Sequence, residues 1–300
     1  MLSKWIARLI KITTIVFITS SYATPIVQDL DNCQVGNATL DSITTLGSNS
    51  NLLSTSYDAT KCLGYFAGSN DEGAYGQTAG SRNIGEFGDG ILNGQGGFFT
   101  GLEFIETSDL QNLDGIGPAT DPGWIHLARF GENGVFDDYS TAGPSYISPL
   151  VLDIGNLLTL SLACDNPNDC KAATWTLTTK VDIIDQVTQL LGNATFDHLA
   201  FSIKGANGFA VYDFNFKTIF GIENTINPDR FNFNTPYELS GTLKTNDLLN
   251  AKGNNFGAIS HLNVWARDPS VTVDVNEPQP ILLMLLALTL LVISRKSKAN

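Results

Sequence analysis

Two eight-residue runs leave this chain little freedom in how it folds: Asp197-His-Leu-Ala-Phe-Ser-Ile-Lys204 and Phe209-Ala-Val-Tyr-Asp-Phe-Asn-Phe216. They flank Gly205-Ala-Asn-Gly208, a turn-forming stretch. In the return run, Ala210, Tyr212, Phe214 and Phe216 fall on one face of an extended chain. Val211, Asp213 and Asn215 fall on the other. Side chains that alternate in this way around a short turn specify a β-hairpin.

The same pattern recurs along the chain. Strands are predicted at residues 98–105, 123–130, 157–163, 173–179, 237–243 and 258–267. Trp175 and Leu177 share one face of their run, and Thr174, Thr176 and Thr178 the other. That alternation suits a sheet with one wet face. Residues 24–97 are rich in Gly, Asn, Ser and Asp and read as short strands joined by long turns. Turns are expected at 70–73 and 87–90, and a glycine loop at 94–97. The glycines lack the strand and lysine of a phosphate-binding loop. One interruption is helical, because Val181, Ile184, Val187 and Leu191 recur near every fourth residue, with Gly192 at the C-cap position. The expected class is all-β: an antiparallel β-sandwich with one short amphipathic helix. A lectin-like jelly roll is one form it can take.

Four cysteines, Cys33, Cys62, Cys164 and Cys170, allow three pairings. Proximity in sequence favours Cys33–Cys62 and Cys164–Cys170, the second closing the turn 165–169. A zinc site is the weaker reading, since there is no Cys-x-x-Cys spacing and no histidine nearby. Acidic loops suit calcium, which favours oxygen ligands, but none has EF-hand spacing. No cofactor is therefore assigned, and calcium stays an open alternative.

The net charge of −13 excludes a nucleic-acid partner, because such a body repels phosphates and carries no basic stripe. No catalytic residue is assigned. His126, His198 and His261 each lie within or beside a predicted strand. Neither a Gly-x-Ser-x-Gly elbow nor a His-Glu-x-x-His helix is present. Carboxylates such as Glu103, Glu106, Asp137 and Asp138 offer a glycosidase pair only by the chance that an acidic chain provides. Trp124, Trp175 and Trp265 can either fill a core or stack on sugars, and their alternating strands favour the core.

Both ends of the chain read as targeting segments. Lys4, Arg8 and Lys11 precede the apolar stretch 12–18, and Ser21-Tyr22-Ala23 places small residues at the cleavage-specifying positions. That is a secretory signal peptide, 1–23, cut after Ala23. At the other end Asn276-Glu277-Pro278-Gln279-Pro280 precedes an apolar run, 281–293, and then Arg295, Lys296 and Lys298. The prolines set the start of a helix, and the basic residues hold its end on the cytoplasmic side. The run gives roughly 20 Å of helix against a hydrocarbon core of about 30 Å, a gap that thinning and snorkelling narrow. Pro269 interrupts sheet pairing, so the exported domain is set at 24–270 and a linker at 271–275.

Motif, apolar helix and basic end together resemble the PEP-CTERM sorting signal of Gram-negative bacteria. Glu277 and Pro278 match the family motif's second and third positions, and Asn276 stands where the first proline is usual. Residues 196–204, 208–214 and 259–267 look like phrases in the exported bodies of some members. The resemblance implies handling by export machinery, signal peptidase and an exosortase-like membrane protease. The mature protein would then reside in the cell envelope or outside the cell. Through the family's link with exopolysaccharide production it also implies a non-enzymatic surface or matrix role. A carbohydrate-binding module and a secreted glycoside hydrolase are the alternatives.

Overall fold

The structure, a computed structural model, describes residues 33–68, 83–97, 99–113, 117–131, 136–138, 140–142, 151–191, 196–205, 207–248 and 256–267. The predicted signal peptide with Ala23, the turn 70–73, the linker 271–275, and the tail with Asn276, Glu277, Pro278, helix 281–293, Arg295, Lys296 and Lys298 lie outside the described residues. Among the described residues no helix is long and apolar enough to cross a membrane.

The hairpin that opened the sequence argument forms as β11 (His198–Gly205) and β12 (Gly208–Asn215), with Phe201 opposite Tyr212. The strands before it are β1 (Thr39–Leu40), β2 (Ser42–Thr45), β3 (Tyr57–Asp58), β4 (Lys61–Ala67), β5 (Trp124–Phe130), β6 (Phe136–Asp138), β7 (Ser140–Ala142), β8 (Val151–Asp153), β9 (Leu158–Cys164) and β10 (Ala172–Thr179). After it come β13 (Tyr237–Lys244) and β14 (His261–Arg267), while two helices, α1 (Ile183–Leu191) and α2 (Phe216–Ile226), flank the hairpin. All the strand pairs are antiparallel.

Two sheets carry the architecture. One has six strands in the order β4-β12-β11-β14-β5-β6, the other four in the order β2-β13-β10-β9. They face each other in a sandwich-like arrangement across one apolar core. Trp175 and Leu177 of the smaller sheet share that core with Phe201, Tyr212 and Phe214 of the larger. Trp175 is the pin between the layers, its ring 4.8 Å from Phe201 and 6.2 Å from Phe214. Its indole N–H donates to the Thr39 carbonyl at 3.1 Å. Gly241, opposite Trp175, makes that approach possible. A Cβ there would stand 1.8 Å from the Thr39 oxygen and 2.8 Å from the indole nitrogen.

Both disulfides join neighbours in sequence, Cys33 to Cys62 and Cys164 to Cys170, and among the described residues no cysteine is free. The first ties the chain before β1 to β4. The second closes the β9–β10 hairpin.

Three expectations need correction. Residues 99–105 form no strand. Glu103 accepts hydrogen bonds from the backbone N–H groups of Thr100 (2.6 Å) and Gly101 (3.0 Å), folding the segment into a local loop. Gly101 sits at φ +91, closed against Pro122. The alternation seen there is that of plugs, with Phe99, Phe104 and Ile105 buried in a second core.

The single predicted helix is two. The period of Ala210, Tyr212 and Phe214 carries the expected strand on to Phe216. That residue is instead the first of α2, whose N-cap Asn215 accepts a hydrogen bond from the Thr218 N–H at 3.1 Å. Phe216, Ile219, Phe220 and Glu223 then bury one helical stripe.

The helix predicted from residue 181 begins later, and Val181 is 80% exposed. Ile183 and Val187 form the buried side of α1.

Candidate functional site

The strands β12, β11, β14 and β5 of the six-stranded sheet are buried on both faces along most of their length. The sheet's outer face carries the second core, in which Phe66, Phe209, Val211, Ala200 and Trp265 meet Ile91, Leu92, Phe99 and Phe104 from the segment 83–123. Phe66 anchors the contact, with ring centroids 5.0 Å from both Phe99 and Phe209. The segment also completes the edge of β5. Asn93 accepts from the Trp124 N–H at 3.0 Å and donates to the Trp124 carbonyl at 2.8 Å. Asn83 does the same for His126 at 3.0 and 2.9 Å. Each asparagine amide thus makes the two bonds that a neighbouring strand would make, at the end of β5 that β6 does not pair.

Strand register gathers polar groups on this covered face. His198, Ser202 and Lys204 of β11 stand opposite Arg267, Asn263 and His261 of β14, and all are buried. All three histidines, the candidates singled out by sequence, therefore lie on one side of one sheet. His198 does not use its neighbour Asp197. Asp213, diagonally across on β12, accepts from His198 Nδ1, 3.0 Å from both carboxylate oxygens. Burial raises the Asp213 carboxyl, and the histidine pulls it back. Asp197 instead pairs with Arg267, whose Nη1 donates to both carboxylate oxygens at 3.1 and 2.9 Å. The same guanidinium donates from Nε to the Pro122 carbonyl at 3.0 Å and from Nη2 to the Asp109 carbonyl at 2.5 Å. Lys217 adds a 2.8 Å ion pair to Asp197. One buried arginine thus locks the covering segment onto the sheet.

His126 stacks on Trp265 with centroids 4.2 Å apart and planes 11° from parallel. Burial holds its pKa well below the ordinary value, and the charge of Arg129 adds to this. Hydrogen bonding with Asn263 and the Ala128 backbone opposes it only in part. Below pH about 6.5 the unfolded chain takes up a proton at His126 that the folded protein refuses. Stability therefore falls as pH drops through this window, at up to about 1.4 kcal/mol per pH unit. Between pH 7 and 5.5, urea unfolding is expected to show a loss about 1 kcal/mol larger in the native protein than in His126→Phe. Equal losses in the two proteins would remove His126 as the cause.

A histidine paired to a carboxylate can act as a general base when a nucleophile or water reaches its second nitrogen. Among the described residues His198 is hydrogen bonded to Asp213 alone. Ser260 and His261, neighbours in the chain, approach at 3.4 Å. Of the carboxylates considered for glycoside chemistry, Glu103 is taken by Thr100 and Gly101. The Glu106 backbone N–H bonds Asp109 at 3.1 Å. The side chains of Asp137 and Asp138 lie outside what the structure describes. Trp124, Trp175 and Trp265 are all buried, so none offers an open sugar-stacking face. Among the described residues no three His, Cys, Asp or Glu side chains gather as a metal-holding group.

Among the described residues, one feature with ligand-sized space is an apolar cavity of about 120 Å³, partly open to solvent. It lies between the sheets and under both helices, with Leu177 and Leu239 on one side, Leu127 and Leu199 on the other, and Val187 and Phe220 above. Sequence carried no signal for it, because its apolar lining residues also fit an ordinary core.

These features define a class: a disulfide-bonded, antiparallel all-β protein with the central strands of one sheet covered on both faces. Compared with protein-family models, curated proteins and solved structures, the chain matches none.

Proposed function

We propose that the chain is an exported, non-enzymatic cell-surface or extracellular-matrix protein, sorted through a PEP-CTERM-like tail. The observation that carries this reading is the pairing of two ends. A signal peptide closes at Ala23, and Asn276-Glu277-Pro278 precedes an apolar run and the basic residues Arg295, Lys296 and Lys298. The two disulfides support it, since such bonds persist in oxidising compartments. The partners are export machinery, signal peptidase and an exosortase-like membrane protease, with exopolysaccharide as the matrix it joins. The C-terminus is held briefly in the inner membrane with its end in the cytoplasm, and the product resides in the envelope or outside the cell.

A lectin-like jelly roll is the finer form of the fold in this proposal. It is supported by distant strands lying side by side, β2 beside β13 and β4 beside β12. The in-sheet hairpins β9–β10 and β11–β12 depart from it. A sugar-binding role would have to use other rings than the buried tryptophans; Phe87, 60% exposed, is one.

The test is intact mass of the mature protein from host cells with and without the exosortase-like protease. The expected result is loss of residues 1–23 in both, and a new C-terminus near Glu277 only where the protease is present. A protein that keeps residues 281–300 in both strains overturns the sorting reading and leaves a tethered domain.

A further inference from the structure

We propose that the cavity between the two sheets is a binding site for an uncharged molecule with a single aromatic ring. The inference rests on the cavity alone and stands apart from the sorting reading. Size is the first argument: at about 120 Å³ the space is close to the apolar cavity of about 150 Å³ that takes up benzene.

The chemistry of the walls is the second. Phe216, Phe220, Phe233 and Tyr237 form one side, and they already contact one another as rings do, at 5.4 Å for Phe216–Phe220 and 5.9 Å edge-on for Phe220–Tyr237. A guest ring would extend the same set of edge and face contacts. Leu158 and Val187 add aliphatic surface to the lining.

Charge is the third argument. No Asp, Glu, Lys or Arg is among the lining residues. The polar side chains that do line it are used within the protein, beginning with His198, whose Nδ1 is 3.0 Å from Asp213. Thr179 donates to the Tyr237 carbonyl at 2.8 Å. Asn232 Oδ1 accepts from the Asn234 N–H at 2.9 Å and from the Thr235 hydroxyl at 3.0 Å. The Tyr237 hydroxyl accepts from the Asn232 N–H at 3.2 Å. A charged guest would be stripped of water with nothing to replace it. The way in is the turn 232–236, where Asn232 is exposed and Phe233, Thr235 and Pro236 are half-buried.

Toluene is the probe, with benzoate as the charged control, on the protein as purified from its host. Calorimetry is expected to show saturable one-to-one binding of toluene, with a raised Tm and no competition from benzoate. Isotope-filtered NMR is expected to show contacts from toluene to the methyl groups of Leu177, Ile183 and Val187. Val187→Phe, which places a ring in the space, is expected to weaken toluene binding at least tenfold. No saturable binding up to the solubility of toluene overturns the proposal. So do contacts only to methyl groups outside the lining, unchanged affinity in a folded Val187→Phe protein, or benzoate binding as tightly as toluene. Should that variant not fold, the NMR contacts in the unmodified protein decide alone.

Discussion

Replacing Arg267 by methionine is expected to lower folding stability by about 3 kcal/mol, the lower end of what breaking a buried ion pair costs. The guanidinium is fully buried and bonds Asp197, the Pro122 carbonyl and the Asp109 carbonyl. Methionine fills much of the volume but leaves those acceptors without their donors. Lys217, which is 51% exposed on its side chain, stays beside Asp197 and limits the loss. The effect should be local as well as global. Amide hydrogen exchange is expected to rise first in residues 109–122, because Arg267 is what ties them to the sheet. Adding Asp197→Leu to the methionine variant is expected to recover part of the stability, since the second change removes the stranded charge. Urea unfolding of both single variants and the double variant measures this. A loss under about 1 kcal/mol would show that the ion pair contributes no more than an exposed one.

The second large effect is expected at Trp175. Truncation to alanine should cost about 3–5 kcal/mol, because a fully buried ring is removed from a core that closes only partly around the gap. Trp175→Phe keeps a ring against Phe201 and gives up the indole hydrogen bond to Thr39, for an expected loss of about 1 kcal/mol from that bond. The difference between the two variants separates the packing between sheets from the hydrogen bond. If both cost the same, Thr39 and not the facing sheet is what Trp175 serves.

Short-range order was legible in the chain. Alternation located β5, β9, β10, β11, β12, β13 and β14 to within about three residues, and Cys33 lies closer in sequence to Cys62 than to either later cysteine. These features depend on residues within one strand or one turn. The misreadings share a cause. Phe216 keeps the strand's period of two and also starts the helical stripe Phe216, Ile219, Phe220 and Glu223, so local pattern cannot choose between them. Phe99, Phe104 and Ile105 are as apolar as a strand's inward face, yet they plug a surface that lies elsewhere in sequence. The histidines stood out by their rarity, but the partner of His198 did not. Adjacent Asp197 is taken by Arg267, and Asp213 is reached only through strand pairing.

The sequence by itself determined the all-β class and the strands β5 and β9 to β14, because side-chain period is a property of neighbouring residues. Tertiary structure alone decided that the central strands of one sheet are covered on both faces, that Arg267 holds the cover in place, and that a cavity remains between the layers. Each of these depends on groups far apart in the chain meeting at a fixed register, and register is set by the packing of the whole.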